Sequence, residues 1–225
     1  MEFMRVPKFK AQTPPDAGRT PKTGANYYDM TIKDGSRVFA FDSNNEKRYV
    51  KTLLDEMKGW RRSHWDLAAD LLEVFLAHKG GNKYDLFDLS ASSSVVASDS
   101  KFTSHVRSEL DRIGRTKGNG THTLADEPMA RIDWAGDYGY DSNLGYAYGG
   151  AGVSVVSGTL DVDNTSLKGN SFNTTVRVTD TYSFVDIPWY DQYRRVAEAY
   201  DAAWHLEQNG NYTKFRNVMD VVVKR

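Results

Sequence analysis

The stretch "SFNTTVRVTDTYSF", residues 171–184, decides the fold class of this chain. Its even positions read Phe172, Thr174, Val176, Val178, Asp180, Tyr182 and Phe184, and its odd positions are almost wholly polar. A period of two held over so many residues, apolar on one side only, predicts a half-buried antiparallel strand. The segment before it has the same character with a change of parity. Val153 and Val155 point one way, while Val156, Leu160 and Val162 point the other, so a β-bulge is expected near Val155–Val156. "VMDVVV", residues 218–223, adds a further strand at an edge of the sheet.

Beyond the alternating stretch the pattern becomes helical. Asp186 stands where an N-cap belongs and Pro188 falls in the first turn. A helix over about 188–207 then presents Trp189, Tyr193, Val196, Tyr200, Ala203 and Trp204 on one side, with Gly210 ending it. Residues 114–150 are rich in Gly, Asp and Tyr and read as short strands with tight turns.

Upstream, residues 45–114 carry three helical patterns. Asn44 or Asn45 caps the first, in which Tyr49, Leu53 and Met57 share a face. Ser63 caps the second, with Trp65, Ala68, Leu72, Phe75 and Leu76 as its stripe and Gly80-Gly81 at its end. Phe102, Val106, Leu110 and Ile113 make the third, from about Asp99 to a stop at Gly114. Asp34-Gly35, between "YYDMTI" and "RVFAF", predicts a hairpin. Residues 1–24, rich in Pro, Lys and Thr, read as a flexible arm. The expected architecture is α+β: residues 25–225 form one domain, helical over 45–114 and β-rich over 130–225. A twisted antiparallel sheet follows the helical layer, and a C-terminal helix packs on it.

Composition removes several function classes. Lys plus Arg, at 29, nearly balances Asp plus Glu, at 30, so the chain lacks the basic excess of a nucleic-acid binder, and no nucleic-acid partner is expected. Without cysteine there is no disulfide, thiolate metal site or cysteine nucleophile. No apolar run approaches the ~20 residues that span a bilayer, so no transmembrane segment is expected. The five histidines show no metal-ligand spacing, and neither a P-loop nor a G-x-S-x-G elbow occurs.

Asp180 breaks the apolar face of its strand. An isolated carboxylate costs several kcal/mol to bury unless it is paired or hydrogen-bonded. The pattern therefore requires either a partner for Asp180, such as Arg194 or Arg195, or a wet cleft at that end of the strand. In the second case Asp180, Tyr182 and the arginines meet at a strand–helix corner. There the carboxylate could serve as a base or magnesium ligand while a guanidinium holds a phosphate, a set suited to phosphodiester chemistry. Trp134, Tyr146 and Tyr148, in the Tyr/Gly-rich loop 134–150, are candidates for stacking on a substrate.

The C-terminal third, about 150–207, resembles the C-terminal toxin domains related to colicin M: a Gly-bounded strand hairpin, then D-x-Y at Asp180–Tyr182, then a helix. The second Asp of the family's D-x-Y-D motif is Ser183 here, and Trp189 and Tyr190 stand where a His-Arg pair is expected. Asp186 and Arg194 or Arg195 would take those places. The resemblance implies an antibacterial, bacteriocin-like effector that hydrolyses the lipid-linked peptidoglycan precursor in the periplasm of a target cell, with Mg2+ at Asp180. It also implies secretion or delivery by a bacterium and an immunity protein as partner. Two other readings stand beside it: a non-enzymatic binding or structural module using loop 134–150, as on a phage or cell surface, and a peptidoglycan glycosidase.

Overall fold

One face of the 171–184 strand must be covered, and the helices supply the cover. The computed structural model describes residues 30–33, 36–39, 43–134, 142–163, 165, 169–184, 202–208 and 212–225, with side chains from Glu46 onward. A hairpin of β1 (Met30–Lys33) and β2 (Ser36–Phe39) precedes α1 (Ser43–Arg62) and α2 (Asp66–Ala77). Strand β3 (Leu86–Asp88), a 3-10 turn at Ser90–Ser92 and α3 (Ser93–Ala97) lead into α4 (Ser100–Lys117). Then come β4 (Gly120–Pro128), β5 (Ile132–Asp133), α5 (Asn143–Tyr148), β6 (Gly150–Val162), β7 (Ser171–Tyr182) and β8 (Phe215–Lys224). Residues 202–208 are helical. The expected arm at 1–24, the turn at Asp34-Gly35 and the helix start at Asp186–Pro188 lie outside the described residues.

The main sheet runs β3-β8-β7-β6-β4, with β5 also on β6. Its ladders are antiparallel except β3 with β8, which is parallel, so the α+β fold carries a mixed sheet. The alternation on β7 holds: Phe172, Thr174, Val176, Val178 and Tyr182 are buried, while Asp180 is half-buried. The parity switch on β6 is the expected bulge, a register shift between Val155 and Ser157. Strand β8 is not an edge strand. It lies between β7 and β3, with Phe215, Asn217, Met219, Val221 and Val223 turned inward. On the other face of the same ladder Arg177 donates from Nε and Nη2 to the two carboxylate oxygens of Asp220 at 2.7 Å each, across a direct register pair.

Helix α2 is buried at Leu67, Ala68, Ala69, Leu71, Leu72 and Phe75, and α1 lies against it through Tyr49, Leu53 and Trp60. Arg61 joins the two, donating to Asp70 at 2.7 Å and to Glu73 at 2.9 Å. Ser63 does not cap α2. The helix starts after Trp65, and the Ala68 N–H, one of the orphan donors of its first turn, is taken by Asn143 Oδ1 at 3.0 Å, from 75 residues away. Local capping chemistry therefore gives way to a tertiary bond. Asp99 does cap α4, accepting from Phe102 N at 2.7 Å, and the same oxygen accepts from Trp134 Nε1 at 3.0 Å.

Gly114 does not end α4, which continues to Lys117 and closes at Gly118, φ 76°. A Cβ at Gly114 would lie 2.8 Å from Nδ2 of Asn170. The missing side chain lets Asn170 dock on the helix and donate to Asp111 at 2.9 Å. Residues 143–148, expected as strand or turn, are instead helix α5. Its N-cap Ser142 accepts from Gly145 N at 3.1 Å.

At the far end of α2 the two ring nitrogens of His78 lie 2.8 Å from the Thr213 carbonyl oxygen and 2.9 Å from an Asp85 carboxylate oxygen. Phe87 and Phe215 meet its ring edge-on. That contact ties α2, the approach to β3 and the approach to β8 together.

Gly158 carries the tightest backbone approach in the sheet. At φ 152°, an added Cβ would lie 2.5 Å from the Asn173 carbonyl oxygen and 2.6 Å from Thr174 Cα. Gly158→Ala should lower stability by about 2 kcal/mol or more, read as a lower urea midpoint. Gly80→Ala, at φ 69° with nothing within 4 Å of the new Cβ, should cost only about 1 kcal/mol.

Candidate functional site

Asp180 is placed by the pleat. On the inward face of β7 it follows Val178, precedes Tyr182, and stands directly opposite Asn217 of β8. Asn217 is completely buried, between the equally buried Phe215 and Met219 of its own strand face. Side chains opposed in this way have Cβ atoms roughly 4.5–5.5 Å apart, so the carboxylate and the amide share one small space. The Asn217 amide makes no hydrogen bond through either Oδ1 or Nδ2.

Helix α5 brings Tyr148 over the same spot. Its hydroxyl lies 4.0 Å from Met219 Sδ, at the donor limit for sulfur, and Met219 pairs with Val178, the neighbour of Asp180 on the inward face. Burial raises the Tyr148 phenol well above its ordinary value, and the charge of Asp180 adds to the shift. Tyr148 is thus kept protonated, a neutral donor beside an anionic group. Tyr182 is buried, with its ring edge-on to Phe75 and Phe184 and tilted over Phe215.

Among the residues expected to act, the structure brings Asp180, Tyr182 and Tyr148 to one end of β7. Asp186, Arg194 and Arg195 lie outside the described residues. Trp134, Tyr146 and Tyr148 do not present ring faces to solvent. Trp134 is fully buried, stacked on Phe102 at 6.4 Å and tilted toward Tyr148 at 5.4 Å, while Tyr146 packs on Trp60 at 4.0 Å. Of these three, Tyr148 is the one that feels the charge of Asp180. His205 is likewise buried, stacked on Tyr49 at 5.0 Å with an interplanar angle of 7°.

Sequence reasoning misses Asn217. The signal is present: an amide two residues before Met219, at a position whose parity matches the apolar face of the strand. It is lost when the strand is taken to start at Val218.

A magnesium ion fits this donor set in a limited sense. Asp180 offers a hard anionic carboxylate at the half-buried end of β7, while Asn217, completely buried, adds no accessible oxygen. Magnesium is commonly held by one or two carboxylates, with water and substrate phosphate completing its shell. Among the described residues no group of three or more His, Asp or Glu is gathered as a metal cage.

No protein-family model matches the chain, and no curated protein matches it. Among solved structures it is similar to PaeM, a colicin M-like bacteriocin produced by Pseudomonas aeruginosa, at 14% identity and a TM-score of 0.37. The match covers 70% of this chain and 51% of that one, so the chain spans about half the length of the structure it is similar to.

The Tyr148 proton gives a direct test of the packing around Asp180. The phenol holds its proton more tightly in the folded state than in the unfolded one, where it titrates near pH 10. Above about pH 10 the unfolded state therefore binds fewer protons, and stability falls as pH rises. Urea midpoints measured between pH 9 and 11.5 should drop more steeply for the natural protein than for Tyr148→Phe. Expressed as unfolding free energy, the slopes should differ by up to about 1.4 kcal/mol per pH unit.

Proposed function

We propose that this chain is an antibacterial toxin or effector domain that hydrolyses a cell-envelope phosphodiester, such as the lipid-linked peptidoglycan precursor. The observation that carries the reading is Asp180 itself: a half-buried carboxylate on the inward face of a long strand, opposed by a buried amide and approached by a protonated phenol. A core that needed only to pack would carry an apolar residue there. The D-x-Y stretch beginning at Asp180 supports the same reading through its likeness to the colicin M-related toxin domains.

Phosphodiester hydrolysis needs a water aligned with phosphorus and relieved of a proton, and negative charge accommodated on the phosphoryl oxygens. Asp180 is the group suited to take that proton. With the buried Tyr148 and Tyr182 beside it, it works next to a low-dielectric environment that strengthens its interactions. Arg194 or Arg195 would supply the bidentate fork for the phosphate, and Asp186 a second carboxylate. Magnesium, when bound at Asp180, would polarise a phosphoryl oxygen. The site of action is the periplasm of a target bacterium, reached after secretion or delivery, and an immunity protein would be the producer's protection.

Exporting the domain to the periplasm of a test bacterium should lyse the cells. Asp180→Asn should abolish lysis while leaving the thermal midpoint within a few degrees of the natural protein. Retained lysis in that variant would sink the assignment, as would harmless export at good expression.

A further inference from the structure

A buried primary amide is a costly group to leave without partners. It has two N–H donors and an acceptor oxygen, and burying such groups unpaired forfeits the hydrogen bonds they make with water. Native interiors hold few of them, and strain, an ion or a functional role stands behind those that persist. Asn217 is such a case: fully buried, hydrogen-bonded through neither side-chain atom, and flanked on its strand face by Phe215 and Met219. Leucine, with the same branching of its side-chain heavy atoms, would occupy that position without the penalty. The strand retains asparagine opposite Asp180.

We propose that Asn217 is a positioning residue for Asp180, its amide standing within one side-chain rotation of the carboxylate across the β7–β8 ladder. The inference rests on the reading of Asp180 given above and extends it to the group that aims it. An amide suits this task because it is neutral. It donates to the ionised carboxylate without forming an ion pair, so the negative charge remains available to a water, a metal or a cationic partner.

The χ2 torsion of asparagine is broad and therefore soft, so its amide can turn toward a carboxylate on the facing strand at little cost. Among the described residues, two elements thus face Asp180 with neutral donors: Tyr148 from α5, its hydroxyl kept protonated, and Asn217 from β8. Tyr182 is the other titratable group on its own strand face.

The test compares Asn217→Leu with the natural protein in three measurements. The thermal midpoint should stay within a few degrees of the natural protein, because the hydrocarbon relieves the burial of the amide while the carboxylate loses its donor. The titration midpoint of the Asp180 side-chain carboxyl, followed by 13C NMR, should move up by about one pH unit, because the charged form loses a donor. Lysis on periplasmic export should fall at least tenfold.

An unchanged Asp180 titration overturns the proposal whatever happens to lysis, since it means that the amide does not act on the carboxylate. A fall in both thermal midpoint and lysis with the titration unmoved assigns Asn217 to packing alone, which also overturns it. Where leucine is not accommodated, Asn217→Ala carries the same titration measurement. If the natural protein is not lytic, the toxin reading fails, while the titration still decides whether Asn217 acts on Asp180.

Discussion

The antiparallel ladder of β6, β7 and β8 exposes one continuous apolar face, and water must be removed from all of it at once. Every neighbouring element answers to that demand. Helix α4 lays Phe102, Val106, Leu110 and Ile113 into the same core as Leu160, Val162 and Phe172. At the other end α2 brings Phe75 onto Tyr182 and Phe184. Between them α5 fills the gap with Tyr146 and Tyr148. At ~25 cal/mol per Å² of buried apolar surface, a large aromatic such as Trp134 or Phe102 contributes several kcal/mol, far more than any single surface ion pair. The polar contacts then choose among packings: Asn143 fixes the start of α2, Asn170 fixes α4 to the turn before β7, and His78 joins the end of α2 to β8.

Apart from the single hydroxyl of Thr174, the run of hydrocarbon on this face of β7 and β8 is interrupted at one ladder rung, by Asp180 and Asn217 together. Pairing the carboxylate with the amide confines the larger polar defect to a single cross-strand position. The apolar residues on either side, Val178 with Met219 and Tyr182 with Phe215, remain free to pack. A polar group at the end of a strand can be wetted without opening the core, whereas the same group at Val176 would require water in its middle.

Much of this is legible in the chain. Strict alternation over 171–184 names the strand, its inward face and its exception, because only an extended chain turns every second side chain to the same side. The parity switch at Val155–Val156 locates the bulge on the same ground. Features set by distant partners are not legible. The cap of α2 comes from Asn143, so the local choice of Ser63 has no bearing on it. Gly114 looks like a stop because glycine often ends helices, yet its role is to admit Asn170. The Tyr-rich loop looks like a binding surface because aromatic rings and glycines serve both surfaces and cores. Only tertiary packing turns Trp134, Tyr146 and Tyr148 inward. Strand β8 looks like an edge because its apolar run is short. Its interior place follows from the parallel strand β3, which pairs with it across more than a hundred residues of chain.

That placement of β8 bears on how the molecule is made and moved. An interior strand that follows all the other described strands in sequence leaves the sheet open until residue 224 is free. Its ladders also join segments far apart in the chain, which slows folding. The helices and the β6–β7 hairpin must wait with an open slot between β3 and β7 and their apolar face uncovered. A chain built in this order cannot close its sheet until that strand arrives, and then locks by inserting it.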